Sequence, residues 1–111
     1  MSLFSKMFGG KTISAQEAHE KMGKLSNYVL LDVRTPQEFK QVRIKGAKLI
    51  PVDQIAARAA VDLPDKDVPI LIYCQSGARA GSALRTLTNM GYTDVVSFGG
   101  IINWPYETDR G

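Results

Sequence analysis

Two apolar runs, YVLLDV at 28–33 and PILIYC at 69–74, limit what this chain can fold into more than any other feature. A strand with one face in water alternates apolar and polar residues, whereas these runs are apolar on both sides of the pleat. They predict strands of a parallel sheet covered on both faces, with Asp32 and Cys74 at or near the carboxyl ends. Parallel neighbours need crossover connections, and the segments between the runs carry helix signals.

Those signals recur in order. Ser14 and Glu17 have the spacing of a capping box and open a helix over about 14–23, on which Ala15, Ala18 and Met22 share a face. Thr35, Pro36 and Glu38 restart a helix as N-cap, first helical residue and box-closing acid, and Gly46 is expected to end it. A strand is expected over Ala47 to Ile50, then a helix over Gln54 to Ala60 and a turn at Leu63, Pro64 and Asp65. After Cys74, a helix over about 79–90 closed by Gly91 precedes a last strand at Val95 to Phe98. This alternation implies an α/β class: a mainly parallel central sheet, helices on both faces, and ligands bound beyond the carboxyl ends of the strands. Cys74 stands at such an end.

Composition narrows the function. With 111 residues, 44% of them apolar, the chain can bury a core without crosslinks, and residues 11–111 are read as one domain behind a flexible tail at 1–10. The tail carries Leu3, Phe4, Met7 and Phe8, an apolar stretch too short and interrupted for a signal peptide or membrane span, so a cytoplasmic protein with no membrane partner is expected. One cysteine and one histidine allow no intramolecular disulfide and no zinc-ligand set, so neither a metal nor another cofactor is expected. Lys and Arg exceed Asp and Glu by 14 to 11, but they are scattered, which favours a small anion over nucleic acid as partner. His19, among polar neighbours on the first helix, is read as a solvated residue without a role.

The chemistry is concentrated in Cys74, Gln75, Ser76, Gly77, Ala78 and Arg79, between the strongest strand and a helix. Small side chains let the backbone curl so that successive N–H groups face inward, and the helix start adds unpaired N–H groups that favour negative charge. A thiol held there ionises more readily than a free one. Cys74 alone would read as a small hydrophobe finishing a core strand, and Arg79 alone as a surface residue. Packing does not require both at this spacing. A cation near a helix start gains nothing from the helix dipole, so Arg79 is expected to face a bound anion or a carboxylate, with Asp32 and Glu38 the candidates.

Four segments, LLDVRTPQEF at 30–39, IKGAKLIP at 44–51, PILIYCQSGARA at 69–80 and VVSFGGIINW at 95–104, resemble the single-domain rhodanese sulfurtransferases over about residues 12–106. The resemblance implies a rhodanese-like α/β domain with a central, mainly parallel sheet of five strands. It implies that Cys74 is the catalytic residue and carries sulfane sulfur as a persulfide, with Gln75, Ser76, Gly77, Ala78 and Arg79 as the loop that binds it. Asp32 and Arg34 match a DxR element that shapes the pocket, and Gly99, Gly100 and Trp104 match closing residues read as a tight turn and a core anchor. Glu38 matches a family acid, although its capping role already accounts for it.

The implied reaction moves sulfur from a small anionic donor, thiosulfate or a persulfide, to a thiol or cyanide, with Arg79 and Arg34 attracting the donor. Val42 and Arg43 replace a Gly-His pair frequent in the family, with little consequence. Gln75 stands where thiosulfate-using members commonly place arginine, which weakens attraction for a doubly charged donor. Two rivals remain. A cysteine-dependent phosphatase or arsenate reductase would need a C-x5-R loop, one residue longer than the present spacing. A sulfur-relay or regulatory module would take sulfur from a persulfide-carrying protein and turn over small donors poorly.

Overall fold

The computed structural model describes residues 11–111, and the expected tail at 1–10 lies outside the described residues. In chain order the elements are β1 (Lys11–Thr12), α1 (Ala15–Lys24), β2 (Val29–Asp32), α2 (Pro36–Gln41), β3 (Val42–Ile44) and β4 (Lys48–Leu49). There follow α3 (Ile55–Asp62), β5 (Ile70–Cys74), α4 (Ala78–Asn89), β6 (Val95–Gly100) and β7 (Thr108–Arg110). Short 3₁₀ turns at Val52–Gln54 and Ile101–Asn103 lead into α3 and out of β6.

The central sheet has five strands in the order β1-β6-β5-β2-β4, with every pairing parallel. Its middle strand, β5, is buried along its whole length, as its unbroken apolar run requires. Successive side chains serve opposite cores. Leu31, Ile70, Ile72 and Cys74 pack with Ile55 and Ala59 of α3 and Ala80, Ala83 and Leu87 of α4. Leu30, Leu71, Tyr73 and Phe98 pack on the other side with Ala18 of α1, Ile44 and Trp104. Helices therefore cover both faces. None of the described helices is long and apolar enough to cross a membrane.

Both expected capping boxes form. The Glu17 N–H donates to Ser14 Oγ at 3.0 Å while Ser14 N–H donates to the Glu17 carboxylate at 2.9 Å, and Ala15 and Met22 pack against the buried Ala18 cluster. Thr35 and Glu38 repeat the exchange at 3.2 and 2.9 Å.

Three expectations need correction. The helix after Thr35 ends at Gln41, well before Gly46, because Val42 turns extended and starts β3, and Gly46 instead supplies a positive φ of 88° in the turn toward β4. A second, antiparallel sheet joins β3 to β7, and β1 adds an edge strand, so the sheet structure is larger than the apolar runs predict. His19 is exposed but not simply solvated: its ring stacks on Tyr106 at 3.8 Å and meets Trp104 edge-on at 5.9 Å. Trp104 is the anchor expected of it, tilted against Phe98 at 5.3 Å with its indole N–H donating to the Glu107 carbonyl at 3.2 Å.

Candidate active site

Strand β5 delivers Cys74 to the carboxyl edge of the sheet, and the chain then turns at once into α4. The turn depends on Gly77, whose φ of 122° no other residue adopts without strain, and which caps α4 without a side chain. A helix start normally borrows an oxygen from a Ser, Thr or Asp at that position. Here the sulfur of Cys74 takes that place. Its Sγ accepts from the Gly77 N–H at 3.0 Å and from the Ala80 N–H at 3.3 Å. The amides of Ser76, Ala78 and Arg79 have no partner among the described residues, so they remain available to a further acceptor.

Cys74 is 1% exposed and belongs to the core cluster, but the sulfur faces peptide dipoles rather than hydrocarbon alone. Two N–H donors and the start of a twelve-residue helix converge on it. The loop that covers it is accessible at Ser76 and Ala78.

Strand β6 supports the loop from behind. Gly100 pairs with Cys74 across the sheet, and a Cβ at Gly100 would overlap the Gln75 carbonyl and stand 2.6 Å from Ser76 Cα. Gly100 is thus required for close approach of two backbones, and only Gly99, with a φ of 89°, has the positive φ expected of a tight turn. Gly77 in turn lies 3.6 Å from Gly99 Cα, measured from where its own Cβ would be.

The two arginines near the loop have different fates. Arg79 reaches across to Glu38, with Nη1 2.8 Å from Oε1 and Nη2 3.1 Å from Oε2. The same carboxylate closes the α2 capping box, so Glu38, one of the two carboxylates expected to face Arg79, ties the start of α2 to the start of α4. Arg34 is 1% exposed. Its guanidinium donates to Asp32 at 2.7–3.1 Å, to the Val42 carbonyl at 2.6 Å and to Gln75 Oε1 at 3.5 Å. Burial is the largest influence on the Arg34 charge and opposes it, but the hydrogen bonds and the charge of Asp32, together with Tyr73, outweigh it and raise the pKa. An arginine so enclosed cannot attract a donor from solvent, which corrects that part of the expectation and leaves the expected shaping role. The pair fixes the end of β2 against the first loop residue, Gln75.

The Arg79 hydrogen bonds hold the Glu38 carboxyl down at about 2, well below its ordinary 4.5. A depressed carboxyl pKa stabilises the fold fully above the unfolded value and loses that contribution as pH falls through the folded one. The tie between α2 and α4 is therefore expected to weaken between about pH 4.5 and 2. Comparing acid unfolding of the wild type with Glu38→Gln checks this: the variant should lack the part of the acid transition that belongs to this pair.

The sequence profile described as the Rhodanese-like domain matches residues 14–105, which span every element from α1 to β6. The chain belongs to this family. A thiosulfate sulfurtransferase of Escherichia coli, PspE, is 38% identical over 71 residues, covering 64% of this chain and 68% of that one. A protein of Allochromatium vinosum named sulfurtransferase is 36% identical over 93 residues, covering 83% and 85%. A solved structure titled rhodanese with anions from E. coli superposes with a TM-score of 0.71 at 33% identity, covering 76% of this chain and 99% of that one. The expected rhodanese-like α/β fold with a five-stranded parallel sheet is thus the one found.

Proposed function

We propose that this rhodanese-like protein transfers sulfane sulfur through a persulfide on Cys74. The observation that carries the reading is the pair of peptide N–H groups aimed at Cys74 Sγ from the start of α4. The Cys74 thiolate attacks the outer sulfur of a donor, a new S–S bond forms at Sγ, and the donor's own bond to that sulfur breaks, its electron pair leaving with the remainder. The outer sulfur then carries the negative charge, and in this reading the amides of Ser76, Ala78 and Arg79, which have no partner among the described residues, donate to it. A thiol or cyanide attacks that sulfur in turn and restores the thiolate. Glu38 holds Arg79, and the Asp32–Arg34 pair holds Gln75, so the ring keeps its shape through both steps.

The names of the relatives support sulfur transfer as the reaction class. The C-to-R spacing in the loop is one residue short of the phosphatase pattern, which supports a site fitted to a single sulfur rather than a tetrahedral oxyanion. Loading the protein from a sulfane donor, removing the donor and adding cyanide is expected to release one thiocyanate per chain. No thiocyanate from any sulfane donor would end the enzymatic reading.

A further inference from the structure

Both guanidinium groups that adjoin the loop are already paired with a carboxylate, Arg34 with Asp32 and Arg79 with Glu38. The loop's first residue, Gln75, adds no charge, and its side-chain oxygen is turned toward Arg34. On the adjoining turn the Ile102 N–H donates to the Gln75 carbonyl at 3.4 Å, and Ile102 is 61% exposed, so this neighbour of the loop adds an apolar rather than a charged side chain. Among the described residues, the ring around Cys74 thus offers peptide dipoles to one sulfur anion, while the two guanidinium groups bound to Gln75 and Glu38 are each already paired with a carboxylate.

From this charge balance we infer that Gln75 and Glu38 set donor selectivity, disfavouring the thiosulfate dianion and favouring a low-molecular-weight organic persulfide, R–S–SH. The inference rests on the Cys74 persulfide reading and deepens it. The step is balanced: Cys74–S⁻ and R–S–SH give Cys74–S–S⁻ and R–SH. The S–S bond of the donor breaks, one forms at Sγ, the proton passes to the leaving thiolate, and no net oxidation occurs. The leaving group is a thiol, which needs no cation to stabilise it. With thiosulfate it would be sulfite, a dianion that the paired guanidinium groups do little to attract or stabilise.

The test compares kcat/KM for thiosulfate with that for cysteine persulfide, each with cyanide as acceptor. The wild type is expected to favour the persulfide. Gln75→Arg adds a cation and Glu38→Gln releases one, so each should raise the thiosulfate-to-persulfide ratio about tenfold, mainly through the KM for thiosulfate. Added salt should erode the gain, since an exposed charge is screened, whereas a merely structural effect would not follow ionic strength. A ratio unchanged or lowered in both variants would overturn the inference, as would a wild type that uses both donors equally well. Loading by a persulfidated protein but not by cysteine persulfide would overturn it too. Failure of Cys74 to load from any donor would instead remove the persulfide reading beneath it.

Discussion

Cys74→Ser is expected to remain folded and to lose sulfur transfer altogether, its turnover falling by more than about 10³-fold to the background of the uncatalysed reaction. The two N–H groups of Gly77 and Ala80 that now point at Sγ need an acceptor, and a serine hydroxyl supplies one. Stability should therefore change by no more than about 1 kcal/mol. The hydroxyl is far less acidic than a thiol and cannot form a stable bond to a transferred sulfur, so the chemistry vanishes while the cap survives. Cys74→Ala is the harsher control. It leaves both donors facing a small void, and should add a modest stability loss to the same loss of turnover. Urea unfolding and thiocyanate formation, measured on both variants, separate the two effects. A serine variant that still released thiocyanate would place the reaction elsewhere.

The largest effect on stability is expected from Asp32→Ala. Asp32 is fully buried and accepts at least four hydrogen bonds from Arg34: one from its backbone N–H at 2.9 Å and three from its guanidinium. Removing the carboxylate strands the guanidinium in the interior, with the Val42 carbonyl its one close acceptor. Breaking a buried pair in this way costs roughly 3–5 kcal/mol, a large share of the 5–15 kcal/mol that holds a typical domain folded. The reverse experiment is milder in charge but not in contacts: Arg34→Met removes the cation, fills part of its volume and leaves Asp32 free to take up a proton. Denaturant midpoints should fall in both, and further in Asp32→Ala. Because Arg34 also contacts Gln75, survivors at low temperature should load sulfur more slowly than the wild type.

How much of this was legible in the sequence depends on the range of the interaction. The capping boxes at Ser14 and Thr35 are written in four consecutive residues, and both form as the spacing predicts. The unbroken runs at 28–33 and 69–74 likewise carry their own evidence, because burial on both faces leaves no polar alternation. The β3–β7 sheet left no such trace. Its strands, VRI and TDR, are three residues each and pair across most of the chain, so no local pattern marks them. The same holds for Glu38 and Arg79, 41 positions apart. Sequence reasoning proposed Glu38 as one of two carboxylates for Arg79, but only the packing of α2 beside α4 shows that one side chain performs both tasks. The expectation that Arg34 attracts the donor fails for a different reason. Arginine is seldom buried, yet Asp32 and Arg34 stand two apart at the end of a strand and so share a side, a spacing that could have suggested the pair.

Gly100 was recognised as a glycine that mattered, but not why. A backbone approach between strand β6 and the Cys74 loop is a property of two segments, and neither alone encodes it.

In the proposed mechanism a sulfur held at the start of α4 by peptide N–H groups bears one more sulfur atom. The direct measurement is the intact mass of the protein under non-reducing conditions after exposure to cysteine persulfide. The predicted result is a gain of one sulfur on the wild type, removed by cyanide and absent from Cys74→Ser. An unchanged wild-type mass, or the same gain on the serine variant, would contradict it.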